Sequence, residues 1–266
     1  TAVNFSVGTT PNSVITDDIN KDGKADLIVS NQNSNNLSLL SNITSVVLAA
    51  LQFTTTNFPA GVSPFFGELA DFNKDGNLDI VVANSDSSSV VNSISILLGT
   101  GTSFGTATSF PVAGSGVNGV TAGDFNKDGN LDVAVAVRFF DNVAVLFGDG
   151  TGSFGASTSF FSGAGPREIS SADLNKDGNL DLVVPNIFDN TISVLINNSI
   201  GSFASPLTLP TQNNPNFVAI NDLNKDGNLD LVASNENSSS ISVVLGDGTG
   251  NFGTTSNFTV GATPGH

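Results

Sequence analysis

Apolar residues in this chain come in short bursts separated by polar turns, and the bursts recur in sets of four. One kind is a nearly continuous apolar run, such as Leu78-Asp79-Ile80-Val81-Val82-Ala83-Asn84. A run of small and β-branched residues precedes it, as in Val120-Thr121-Ala122-Gly123. An alternating run follows, Ile94-Ser95-Ile96-Leu97-Leu98 in one place and Ile241-Ser242-Val243-Val244-Leu245 in another. Then comes a glycine hairpin, Gly148–Gly155, nearly repeated at Gly246–Gly253. A fourth run closes the set, such as Ser109-Phe110-Pro111-Val112 or Asn257-Phe258-Thr259-Val260. Period-two alternation, β-branched residues and Gly/Asn/Asp turns predict strands and hairpins. No stretch carries the 3.6-residue period of an amphipathic helix.

The sets are copies of one another. The string D-x-N-x-D-G-x-x-D occurs at 18–26, 71–79, 124–132, 173–181 and 222–230, with starts 53, 53, 49 and 49 residues apart. Four antiparallel strands per roughly 50 residues, repeated, is the pattern of β-propeller blades. Each blade has two apolar faces that only neighbouring blades cover. The expected fold is all-β, a single β-propeller domain over residues 1–266 with five four-stranded blades. The small-residue run is placed innermost, at the crowded axis. Pro11, Pro64, Pro166 and Pro215 lie seven residues before the acidic motif and mark the crossover between blades; the third unit has Val117 there.

The acidic loop has the chemistry of a hard-cation site. Calcium takes six to eight oxygen ligands in flexible geometry. Positions 1, 3, 5 and 9 are Asp18, Asn20, Asp22 and Asp26 in the first loop, and Asp71, Asn73, Asp75 and Asp79 in the second. They are Asp124, Asn126, Asp128 and Asp132 in the third, Asp173, Asn175, Asp177 and Asp181 in the fourth, and Asp222, Asn224, Asp226 and Asp230 in the fifth. Position 7 offers a main-chain carbonyl, from Lys24, Asn77, Asn130, Asn179 or Asn228. Position 6 is always glycine, where the chain must turn with positive φ. About five Ca²⁺ ions, one per repeat, are expected. An EF-hand is excluded at position 12, where a bidentate Glu is needed and this chain has Val29, Val82, Val135, Val184 and Ala233.

Composition narrows the chemistry. The formal charge is −16, from 24 acidic and 8 basic residues, and fifteen of the acidic residues lie in the five loops. Five calcium ions would bring −16 to −6. Such a polyanion is not expected to bind nucleic acid. No apolar run approaches the ~20 residues of a membrane span, so no membrane insertion is expected. Cysteine, tyrosine, tryptophan and methionine are absent, and the one histidine is His266. A serine nucleophile therefore has no internal histidine partner. Outside the loops the carboxylates are Asp17, Glu68, Asp86, Asp141, Asp149, Glu168, Asp189, Glu236 and Asp247, with no pair evident in sequence. No catalytic residue and no organic cofactor site is expected.

Loops such as Asp71-Phe72-Asn73-Lys74-Asp75-Gly76-Asn77-Leu78-Asp79, with hairpins ending Ser153-Phe154-Gly155 or Asn251-Phe252-Gly253, resemble the FG-GAP/VCBS-type repeats, the repeats of integrin-like β-propellers. The resemblance spans nearly the whole chain. It implies a propeller with calcium between the first two strands of each blade, an extracellular or cell-surface setting, and roles in adhesion, sugar binding or polysaccharide processing. Most relatives have seven blades, so the five repeats are either a five-bladed ring or part of a larger seven-bladed one.

Departures from the repeat raise further expectations. Unit one lacks the glycine hairpin, and its apolar stretch Asn42–Phe53 is either a contact surface or a drifted blade. Asn4–Pro11 matches Asn257–Pro264, giving six copies of the outer strand against five loops. Either the chain is a slice of a longer array or a terminal strand pairs with a neighbouring molecule, giving a homo-oligomer. Arg138 and Arg167, the only arginines, either build a single ligand site or reflect drift, with Arg167-Glu168 as a surface ion pair. The exposed aromatic candidates are Phe139 and Phe140 beside Arg138, and Phe160-Phe161 near Arg167. The recurring Asn31, Asn84, Asn186 and Asn235 at the end of the apolar run read as turn residues bonding their own backbone.

Three functions compete: a non-enzymatic structural or adhesive module whose partners are other subunits or surface glycans, a calcium-dependent lectin, and a polysaccharide-processing enzyme. The first asks least of the sequence.

Overall fold

The bursts form strands in the predicted order, and each set of four makes its own antiparallel sheet. The computed structural model describes residues 4–45, 51–86 and 91–264. Blade 1 is β1 (Pro11–Asp17), β2 (Asp26–Asn31), β3 (Asn36–Asn42) and β4 (Phe53–Pro59). Blade 2 is β5 (Pro64–Ala70), β6 (Asp79–Asn84), β7 (Val91–Leu97) and β8 (Thr108–Ala113). Blade 3 is β9 (Val117–Gly123), β10 (Asp132–Val137), β11 (Asn142–Leu146) and β12 (Thr158–Phe161). Blade 4 is β13 (Ser170–Ala172), β14 (Asp181–Asn186), β15 (Thr191–Leu195) and β16 (Leu207–Pro210). Blade 5 is β17 (Pro215–Asn221), β18 (Asp230–Asn235), β19 (Ser240–Val244) and β20 (Ser256–Thr259). No helix among the described residues is long and apolar enough to cross a membrane.

First strands of successive blades touch: β1 with β5, β5 with β9, β9 with β13 and β13 with β17. They line the common axis, and their small residues let them approach. A Cβ on Gly119 would lie 2.6 Å from the Glu168 Cα, and the Gly119 N–H donates to the Arg167 carbonyl at 2.8 Å. The second strands of blades 2, 3 and 4 are covered on both faces. This is why β6, β10 and β14 are buried at every residue and read as continuous apolar runs rather than alternating ones. Outward, β12 and β20 are mostly exposed.

Apolar clusters sit between sheets. Phe72, Val81, Ile94 and Ile96 of blade 2 meet Val120, Val133, Val135 and Leu146 of blade 3, and similar layers join blades 1 and 2, 3 and 4, and 4 and 5. The hairpin phenylalanine of each of blades 2 to 5 reaches back into the one before it. Phe154 lies edge-on to Phe72 and Phe110, with centroids 5.7 and 5.3 Å apart, and Phe203 does the same to Phe125 and Phe160. Such edge-to-face pairs add about 0.5–1.5 kcal/mol each beyond area burial.

No described cluster joins blade 5 to blade 1. Leu223 is 47% exposed, whereas its counterparts Phe72, Phe125 and Leu174 are at most 3% exposed. Val14 is 62% exposed, whereas its counterparts Ile169 and Val218 are at most 2% exposed. The same residue positions are core in the middle blades and surface at the two outermost faces. Of the two matching terminal stretches, only the second enters a sheet, as β20. Residues 4–10 form no strand; Phe5 stacks edge-on against Phe53 at 4.9 Å. In unit one, Ile43 and Leu51 are exposed, and residues 46–50 of that stretch lie outside the described residues.

The recurring asparagine is not a turn residue. Asn31, Asn84, Asn186 and Asn235 are buried and donate from Nδ2 across the sheet, to Ser38, Ser95, Ser193 and Ser242 at 2.8–2.9 Å. They pin the second strand of the blade to the third. Blade 3 has Val137 and Ala144 at the paired positions, so both polar partners are replaced together by apolar ones. Removing one partner of a buried hydrogen bond costs about 1–3 kcal/mol, whereas replacing both is close to neutral. Asn186→Val is therefore expected to destabilise the chain by about 1–3 kcal/mol. Adding Ser193→Ala to it should restore part of that loss. A double-mutant cycle by chemical denaturation checks this, and strictly additive effects would refute the pin.

Candidate functional site: the acidic loops

Each loop joins the first strand of a blade to the second, and its fold is dictated by where its N–H groups find acceptors. In 71–79, Asp71 accepts from the N–H groups of Asp75 and Gly76 at 3.1 and 2.8 Å, one on each carboxylate oxygen. The Asn73 Oδ1 also accepts from Asp75 at 3.0 Å, and the Asp75 Oδ1 accepts from Asn77 at 2.8 Å. These are Asx turns, in which a short polar side chain bonds main chain two or more residues on. The other loops repeat the pattern, for example from Asp124 and Asp128. Position 4 is a lysine with φ between 58° and 61° in every loop, and the glycine at position 6 has φ between 80° and 86°. A Cβ on Gly76 would touch nothing within 4 Å, so backbone conformation alone requires glycine there.

Position 9 has a different task. Asp79 is fully buried; one oxygen accepts from the Phe72 N–H at 2.8 Å and the other from the Gly99 N–H at 2.7 Å. Asp132 does the same with Phe125 and Gly148, and Asp181 with Leu174 and Asn197. This carboxylate ties the neck of the loop to the hairpin between the third and fourth strands. Burial pushes the Asp132 and Asp181 carboxyls up to about 6, against the pull of those N–H groups and with help from their loop neighbours' negative charges. Asp75, Asp128 and Asp226 go the other way, held low by the N–H of Asn77, Asn130 and Asn228 respectively.

All twenty side-chain positions expected to ligate lie in these turns, and the carbonyl-bearing residues Lys24, Asn77, Asn130, Asn179 and Asn228 are at their far ends. The carboxylates are turned to main-chain N–H groups, and among the described residues no three His, Cys, Asp or Glu side chains are gathered closely enough to hold an ion.

The loops are also joined to each other. Lys21 Nζ donates to the Gly76 carbonyl and to Asn77 Oδ1. Lys74 donates to Asn130 and Lys176 to Asn228, both at 2.7 Å. Lys21, Lys74 and Lys176 thus bond the next blade's loop. Lys21, Lys74, Lys127 and Lys176 all help lower the pKa of the next position-5 aspartate. Five of the six lysines occupy position 4, a regularity that signals a shared task, although its direction appears only in three dimensions.

Two further groupings join residues distant in sequence. Glu68 and Glu168 line one axial cavity of about 360 Å³ with Thr121 and Ser171. Glu68 accepts from the Ala122 N–H and Glu168 from the Val218 N–H, each on the following blade. Burial raises both carboxyls, Glu168 to about 7 with repulsion from Glu68 added. Glu168 therefore faces the axis and makes no ion pair with Arg167; the ion pair among the described residues is Lys24–Asp22. Phe139, Phe140 and Phe161 are exposed as expected. Phe160 instead packs half-buried against Phe203.

Comparison with known proteins agrees with this geometry. A model of the FG-GAP-like repeat matches residues 18–82, 71–135 and 132–184. No curated protein matches the chain. Among solved structures, a functionally unknown protein from Desulfotomaculum acetoxidans DSM 771 aligns with TM-score 0.70 and 15% identity, over 96% of this chain and 72% of that one. The V. cholerae biofilm matrix protein Bap1 aligns with TM-score 0.52 and 18% identity, over 96% of this chain and 41% of that one. The Bacillus licheniformis rhamnogalacturonan lyase PL11 aligns with TM-score 0.54 and 15% identity, over 91% of this chain and 50% of that one. At these identities the likeness is one of fold. The repeat model, in contrast, spans most of the chain from residue 18 to residue 184 in overlapping copies, and the chain belongs to the FG-GAP-like repeat family.

Proposed function

We propose that this chain is a calcium-stabilised, non-enzymatic β-propeller module with a structural or adhesive role in an extracellular or cell-surface assembly. The carrying observation is the loop itself, five times over: the same oxygens held in one tight turn by the same main-chain N–H groups. The donor set fits a hard cation. It is all oxygen, which suits calcium and not the nitrogen- and sulfur-seeking metals. A carboxylate oxygen that accepts one N–H keeps a further lone pair. The residues at positions 1, 3, 5 and 9, with the carbonyl at 7, would hold the ion. Bound calcium supplies positive charge where three carboxylates repel. The chain's own residues set the turn, satisfy its N–H groups and, through the position-4 lysines, connect each loop to the next.

The non-enzymatic part of the reading is supported by the axial glutamates, each of which is engaged by main-chain N–H of the following blade. An adhesive setting agrees with the likeness in fold to a biofilm matrix protein. Partners would be other subunits or surface glycans, and the exposed β20 is where association through a terminal strand would take place.

Calcium that binds only the folded chain stabilises it by about 2.7 kcal/mol per site at a hundredfold excess over Kd. Excess chelator should therefore lower the melting temperature steeply, and an unchanged melt ends the proposal. The effect should depend on pH. Asp132 and Asp181 have folded pKa values of about 6, above the usual 3.8. Without calcium, the stability they contribute is present below about pH 4 and is lost as pH rises through about 6. Calcium needs the ionised form, so the gap between loaded and chelated melting temperatures should widen across that window.

Single substitutions should separate the two tasks of the loop. Asp75→Ala should lower the melting temperature with calcium present and change it little in chelator. Asp79→Ala should destabilise in both, because it strands the buried N–H groups of Phe72 and Gly99 at about 1–3 kcal/mol each. Identical responses of the two variants in chelator would contradict this division.

A further inference from the structure

Both arginines of the chain, Arg138 and Arg167, line one cavity of about 380 Å³. Arg138 follows β10 at the turn to β11, and Arg167 lies on the crossover from blade 3 into blade 4. The acidic loops join first strands to second. These two residues sit instead where second strands meet third and fourth meet first, at the opposite end of the sheets.

Among the described residues nothing of opposite charge pairs with them. Neither guanidinium donates a hydrogen bond among the described residues, and the Nε atoms of both are buried without a partner. Burial and the neighbouring Arg167 charge hold the Arg138 pKa below its usual value. The carboxylates of this region are engaged elsewhere. Asp189 accepts from the Ala164 N–H, Asp141 from the Gly165 N–H, Glu168 from the Val218 N–H, and Glu236 from the Asn214 and Asn216 amides. Two adjacent cations left unpaired, in a chain carrying 24 carboxylates, make a site that lacks an anion.

The walls add a second kind of chemistry. The Arg138 guanidinium lies 5.3 Å from the Phe139 ring centroid and 5.2 Å from that of Phe188, within cation–π range, so two rings fix its position. Phe188 is itself more than half exposed and offers the cavity a flat apolar surface. The same cavity is lined by Asn213, on the crossover into blade 5, and by Asn237 of blade 5, whose side-chain amides make no hydrogen bond among the described residues.

We propose that this cavity binds a carboxylate-bearing sugar, a uronate residue of an acidic polysaccharide. Guanidinium forks match a carboxylate in plane and spacing. The phenylalanine face suits the C–H face of a pyranose, the amides suit its hydroxyls, and the volume is that of a small-molecule pocket. There is one such site per chain. The positions matching Arg138 are Gln32, Ser85, Ile187 and Glu236, and those matching Arg167 are Asn12, Phe65, Asn118 and Asn216. The inference takes only the glycan partner from the reading above, and its residues are separate from the calcium loops.

Isothermal titration of the full chain at fixed calcium tests it, with a glucuronate-containing oligosaccharide and the same oligosaccharide after carboxyl reduction. One site per chain is expected, with the reduced probe binding about tenfold or more weakly. Arg138→Gln and Arg167→Gln should each weaken the acidic probe about tenfold or more at an unchanged melting temperature. Arg138→Lys should fall between, since it keeps the charge and loses the fork. Equal binding of the two probes, no binding of the acidic one, or undiminished binding by both glutamine variants would overturn the proposal. So would a glutamate-rich peptide that binds as tightly as the sugar. Failure of the calcium reading would show separately, as a chelator-insensitive melt with uronate binding intact.

Discussion

A four-stranded sheet with apolar side chains on both faces cannot bury them alone, and the rest of this structure depends on one sheet covering the next. The second strands of the three middle blades are buried throughout because they are enclosed from both sides. The hairpin phenylalanines project into the preceding blade because that is where the adjoining apolar surface lies. The burial of a given position is therefore a property of the array rather than of the residue. Leu223 and Val14 have the character of core residues and lie at the surface, because no described sheet lies against them.

Polar groups are arranged around that constraint. Wherever the chain must leave a sheet it exposes main-chain N–H groups, and here carboxylates and amides accept them. The acidic loop divides this work by depth. Positions 1, 3 and 5 organise the exposed turn, while position 9 is buried and anchors the turn to the hairpin that follows the third strand. The lysines run from each loop to the next in a single direction along the chain. Side-chain electrostatics thus follow the order in which the sheets are stacked.

Sequence made the repeat, the four strands and the acidic loops legible, because all three rest on local spacing and on residue types with few alternative uses. What it did not reveal involves contact between strands and between blades. From sequence Asn186 reads as a turn residue, because asparagine serves turns and cross-strand pins equally well, and only the position of Ser193 separates them. Lys74 and Asn130 are 56 residues apart, and nothing local announces their meeting. Glu68 and Glu168, like Arg138 and Phe188, come from different blades and share a cavity only once the sheets are stacked. The N-terminal copy of the outer-strand sequence shows the reverse limit: a matching sequence forms a strand only where a sheet edge is present to receive it.

The exchange of Asn and Ser for Val and Ala in blade 3 reaches beyond that blade. The two positions are coupled, so the units cannot be averaged residue by residue. A consensus repeat that took the asparagine from one unit and the alanine from another would combine halves of two incompatible solutions. Idealised versions of this array should therefore inherit such positions as linked pairs.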